Sequence, residues 1–92
     1  MIKKSDKAEF FASYADKKAA EIIQKAVELR KESYLSQSQV SELLGLKSHG
    51  NITLIEKGKS IPGLDRILRI LAVYGYTLDV VPITEKEKEK VI

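Results

Sequence analysis

The densest run of side chains able to read a partner lies between Lys47 and Lys59. It contains Ser48, His49, Gly50, Asn51, Thr53 and Lys57. Short polar groups at this spacing suit hydrogen bonding to the edges of nucleic-acid bases. Asparagine can pair with adenine through two bonds, and threonine can meet a base or a thymine methyl. Histidine can donate to guanine or to a phosphate. Gly50 would let the backbone come close. The lysines supply the charge that phosphates attract. From Gly45 to Gly63, Lys47, Lys57 and Lys59 are opposed by Glu56 alone. Each residue also has a plainer reading, since Asn51 and Thr53 could be local caps and His49 could be solvated. Their concentration in one short stretch is what suggests a DNA surface.

Other chemistries find little material. The chain has one histidine and no cysteine. No pair of carboxylates flanks a nucleophile, and no glycine loop could cradle a phosphate. An enzyme, a metal site and a cofactor are not expected. Without cysteine there is no disulfide framework and no cysteine-ligated zinc site. No apolar run approaches the ~18 residues of a membrane span. The opening MIKKSDKAEFF lacks the apolar core of a signal peptide, so the expected location is the cytoplasm. At 92 residues there is room for one domain with a modest core. A net charge of +3 and a pI near 9.1 permit an anionic partner without demanding one.

The elements that must position the polar run can be read around it. Ser36 and Gln39 have capping-box spacing. Val40, Leu43 and Leu44 then share one helical face. Gly45 can end that helix in a left-handed turn. Ser48 can cap a second helix with Ile52 and Ile55 inward, stopped by Gly58. Two capped helices around a glycine corner have the form of a helix-turn-helix, whose second helix enters the major groove. Gln37, in the first turn of the first helix, is placed to grip a phosphate.

The remaining chain is mostly helical in pattern. No proline or glycine precedes Gly45. Residues 5–14 suit a short helix with Phe10, Phe11 and Tyr14 clustered, to be covered by the domain, a second subunit or another protein. Asp16 can cap a longer helix to about Glu32, with Ala19, Ile22, Ile23, Ala26 and Leu29 inward. Arg30 lies near the inward edge and wants a carboxylate. Ile61-Pro62-Gly63 marks a loop. Leu64, Ile67, Leu68, Leu71 and Ala72 then line an amphipathic helix ending near Gly75, with Arg66 and Arg69 outside as solvated face. The period changes over Tyr76–Ile83, which reads as one strand. A lone strand leaves its backbone groups unpaired. It should pair with the same strand of a second subunit through Tyr76, Leu78, Val80 and Val81, or else lie over its own core. Alternating glutamate and lysine in the last residues predict a solvated tail. The expected divisions are an N-terminal extension over 1–15, a DNA-binding domain over 16–75, a dimerisation strand over 76–83 and a charged tail over 84–92.

Residues 26–74 resemble the Cro and lambda-repressor type of helix-turn-helix, the XRE family. The matching residues are Leu29-Arg30, Leu35-Ser36-Gln37, Val40-Ser41, Leu44-Gly45-Leu46, Ile52, Ile55-Glu56, Gly58-Lys59, Pro62 and Leu64. The resemblance implies an all-α bundle of about five helices that binds operator DNA as a dimer. It also implies an ion pair between Arg30 and Glu56. Two departures stand out: Ser41 replaces the family's usual alanine, and the turn is one residue longer than the family pattern. From Ile55 to Pro82 the chain is similar to HipB-type antitoxins, in which a C-terminal strand pairs across the dimer. That likeness implies repression of the protein's own operon at an inverted repeat and neutralisation of a HipA-like kinase toxin. A stand-alone phage-type repressor or a restriction–modification controller would share the DNA chemistry without a toxin. A module that inhibits a partner enzyme with little DNA binding is the alternative of another class.

Overall fold

The computed structural model describes residues 4–47 and 50–84, with side chains over 7–47 and 51–84. Among the described residues there are four α-helices and no strand: α1 (Lys4–Glu32), α2 (Gln37–Leu43), α3 (Gly50–Glu56) and α4 (Leu64–Val73). The all-helical class is as expected, but the count is four rather than five. The two expected N-terminal helices are a single 29-residue helix running straight through Asp16. A cap must leave helical geometry, and no glycine or proline forces the chain out there. The helix therefore also crosses the expected boundary between extension and domain.

The core is built from Ile23 and Ala26 of α1, Val40 of α2, Ile52 and Ile55 of α3, and Ile67, Ile70 and Leu71 of α4. Ile22, Leu29, Leu35, Leu44, Leu46, Tyr74 and Leu78 close over it. Three expected inward residues are exposed: Leu43, Leu64 and Ala72. Ile70 takes their role in α4. Helical spacing gives the direction of an apolar stripe, but its width depends on how many neighbours converge on it. Short helices at the rim bury only the centre of theirs.

All four helices end in the same way. At each C-terminus two consecutive backbone N–H groups turn back to carbonyls of the last turn, the Schellman pattern. For α2, Gly45 donates to Glu42 at 3.0 Å and Leu46 to Ser41 at 2.9 Å. Gly58 with Lys59 and Gly75 with Tyr76 repeat this after α3 and α4. The three glycines have φ of 70°, 75° and 83°. After α1 the left-handed position belongs to Tyr34, at φ 57°.

Residues 76–84 form neither helix nor strand, and no ladder pairs them with another described residue. Of the four residues expected to face a second subunit, Leu78 packs on the chain's own core. Tyr76, Val80 and Val81 are 57%, 97% and 70% exposed.

Candidate nucleic-acid interface

The polar run falls on α3 and its flanks. Ile52 and Ile55 anchor the helix inward, so Asn51 and Leu54 face outward. Lys57 and Lys59 are exposed just past the helix end, and Lys47 is exposed before it. Gly50 is the first residue of α3. Ser48 and His49, expected as cap and reader, lie outside the described residues. Leu54 also belongs to this face, although its residue type does not mark it as a reader. It is 44% exposed on the outward face, one turn beyond Asn51, where an apolar side chain can meet a thymine methyl. The signal was its spacing of three from Asn51, hidden because leucines default to cores.

A hydrogen-bonded chain fixes α3 against its neighbours. Arg30 donates twice to Glu56, from Nε to Oε2 at 2.7 Å and from Nη2 to Oε1 at 2.9 Å. Its Nη1 donates to the Leu35 carbonyl at 2.9 Å. Gln37 Nε2 donates to Glu56 Oε1 at 2.9 Å, and Thr53 Oγ1 donates to Gln37 Oε1 at 2.8 Å. The end of α1, the α1–α2 corner, the first turn of α2 and the body of α3 thus form one connected unit. The two-pronged geometry is why an arginine is needed here, since lysine has no fork to match a carboxylate.

The network shifts the acid–base balance of its members. Burial pushes the Glu56 carboxyl up, but hydrogen bonds from Arg30 and Gln37, with the charges of Arg30 and Lys31, leave it below the usual carboxylate range. Tyr74 is pushed up, first by burial and then by the Glu56 carboxylate. Glu56 therefore stays ionised near neutral pH with its charge matched internally. The three lysines around α3 are left without a neutralising acid on that helix.

Two expected roles look different in place. Gln37 faces Thr53 and Glu56, so its amide oxygen and one N–H are committed within the protein. Thr53 is tied to the same amide. Both now orient α3 rather than lie free on its surface. The capping box is present as read: Ser36 Oγ accepts from Gln39 N at 3.1 Å and Gln39 Oε1 accepts from Ser36 N at 2.8 Å. Arg69 pairs with Asp65 at 3.0 Å on the exposed side of α4, in keeping with a solvated face. Ser41 is buried at 3% exposure, and its hydroxyl has no partner among the described residues.

Residues 28–81 match the family model for the helix-turn-helix, spanning α2, α3, α4 and the end of α1. The chain belongs to the helix-turn-helix family. It is 37% identical over 65 residues to an uncharacterized HTH-type transcriptional regulator of Haemophilus influenzae, covering 71% of this chain. This helix-turn-helix chain spans 65% of that relative's length. No solved structure matches it significantly. Most of α1, from Lys4 to Val27, lies ahead of the family match. Among the described residues no helix is long and apolar enough to cross a membrane, and no group of acidic, histidine or cysteine residues could hold a metal.

Proposed function

We propose that this helix-turn-helix protein is a sequence-specific DNA-binding transcription regulator, acting as a dimeric repressor of its own operon. The observation that carries it is the outward face of α3. Asn51 and Leu54 stand clear of the core with lysines at both ends, while the Arg30–Glu56–Gln37–Thr53 chain holds the helix in place. Asn51 and Gly50, with Ser48 and His49 ahead of them, supply base readout, while Thr53 holds the helix to Gln37. Lys47, Lys57 and Lys59 meet phosphates, assisted by the remaining amide hydrogen of Gln37.

Dimerisation is supported by the segment after α4, where Tyr76, Val80 and Val81 are exposed. Pairing of residues 76–83 with their counterparts would give that segment's backbone a ladder and place two α3 helices about one DNA turn apart, so the operator is an inverted repeat. The similarity to HipB-type antitoxins adds a toxin partner of the HipA-like kinase class. Exposed Phe10 and Phe11, ahead of the matched region, offer apolar surface for such a partner.

The test is a gel shift of the purified chain with the DNA upstream of its own gene, titrated with salt. Binding that weakens steeply with salt is expected. No salt-sensitive shift would overturn the proposal. Co-expression with the neighbouring open reading frame tests the antitoxin half: co-purification of the two products is expected. A DNA shift without any partner would leave a stand-alone regulator, and co-purification without a shift an enzyme-inhibiting module.

A further inference from the structure

Tyr34 stands out from the rest of the fold. It occupies the left-handed position that Gly45, Gly58 and Gly75 fill at the other three helix ends. A side chain is disfavoured there, because Cβ crowds the following carbonyl oxygen. Burial does not compensate: the residue is 93% exposed. A glycine would close α1 equally well, so the ring contributes nothing to the fold that holds it. A strained, solvent-facing side chain of this kind points to a contact outside the chain.

Its place narrows the kind of contact. Tyr34 precedes Leu35, whose carbonyl is held by Arg30 at 2.9 Å, and Ser36, which caps α2. Both flanking bonds make the corner rigid. Three residues on, Gln37 touches Thr53 of α3, so the corner lies on the flank of the unit that carries the outward face. Lys31, exposed in the last turn of α1, is near enough to Glu56 to help hold its carboxyl down. Exposed Ser33 and Ser38 lie on either side. The exposed charges ahead of the corner, Lys31 and Glu32, offset each other, so what this rigid spot presents is the phenol hydroxyl, a donor suited to an anionic acceptor rather than to an apolar groove.

We infer that Tyr34 contacts the DNA sugar–phosphate backbone beside the groove that α3 enters, its hydroxyl donating to a phosphate oxygen next to Lys31. This rests on the DNA-binding proposal above. A contact to phosphate carries no sequence preference, so it strengthens operator and unrelated duplex alike.

The experiment uses the full chain, its promoter duplex and a scrambled duplex at fixed salt. Tyr34→Gly should melt higher than wild type yet bind both duplexes about thirtyfold more weakly, the worth of two net hydrogen bonds, one from each subunit of the dimer. Tyr34→Phe keeps the ring and should lose as much affinity with an unchanged Tm. Wild-type affinity in the glycine variant, with wild type still shifting DNA, overturns the contact and turns Tyr34 toward a protein partner. A wild-type chain that shifts neither duplex overturns the DNA-binding proposal itself, and this inference with it. A Tyr34→Phe variant that binds like wild type removes the hydroxyl's role.

Discussion

Removing the Glu56 carboxylate should cost more than any other single change on the surface of this domain. Glu56 accepts three hydrogen bonds, two from Arg30 and one from Gln37. The Arg30 and Glu56 side chains are each 13% exposed, so water can replace little of what is lost. In Glu56→Ala the guanidinium keeps only its bond to Leu35, and a Gln37 N–H loses its acceptor. Breaking a buried pair from one side costs about 3–5 kcal/mol. The residual exposure sets this case near the lower end, at about 3 kcal/mol. A domain of this length holds roughly 5–14 kcal/mol in all. Each kcal/mol moves Tm by about 4–8 °C at this size, so the expected fall is about 12–24 °C. Thermal melts followed by far-UV circular dichroism measure it directly. Arg30→Met combined with Glu56→Leu should recover much of the loss, because no buried charge is then left alone. A fall under about 4 °C in Glu56→Ala, or a double variant no better than the single, would refute the role given to this pair.

Acid titration reports the same carboxylate by another route. Its folded pKa is depressed, so its contribution is fully present above the ordinary carboxylate value of about 4.3 and disappears as pH falls through the lower folded value. Glu56→Gln should therefore flatten stability against pH in that acid range, and equal slopes for the two proteins would count against it. Ser41→Ala removes a buried hydroxyl with no partner among the described residues and should raise stability by about 1 kcal/mol in urea melts. Gly58→Ala meets no atom within 4 Å, so its cost of about 1–2 kcal/mol comes from the left-handed backbone alone; a neutral result would mean that the corner relaxes. Replacing Lys47, Lys57 and Lys59 by alanine removes six phosphate contacts from a dimer. It should flatten the plot of log affinity against log salt by about five, and an unchanged slope would place these lysines off the DNA.

Much of the site could be read from local sequence because its parts are local. The capping box needs only Ser36 and Gln39, and the inward pair Ile52 and Ile55 needs only one turn of helix. Gly45 and Gly58 mark left-handed corners by their type. The pairing of Arg30 with Glu56 spans 26 positions and came from resemblance rather than spacing. What stayed hidden depends on packing between distant segments. Local sequence points Gln37 at a phosphate because its partners, Glu56 and Thr53, lie 19 and 16 positions away. Leu43 and Leu64 fit apolar stripes, but their helices are too short and peripheral to be covered on that side. Tyr34 was invisible as a corner residue, since its type argues against the conformation it adopts. The joining of residues 5–14 and 16–32 into one helix shows the converse: a possible cap at Asp16 has no effect where continued helix satisfies the same backbone groups.

That single helix carries a consequence for how the protein breathes. At ~1.5 Å per residue α1 is about 43 Å long, and the overall envelope is 51 Å in its longest direction. Its first core residue is Ile23, so roughly five turns precede any contribution to the core. Those turns draw their order from intrinsic propensity, which is marginal for an isolated segment of that length. The helix should thus behave as two materials in series. Amides ahead of about residue 19 should exchange with solvent at the low cost of local fraying. Those from Ile23 to Arg30 should exchange only when the bundle opens. A rod that is loose at one end and locked at the other can search for a partner without disturbing the face that reads DNA.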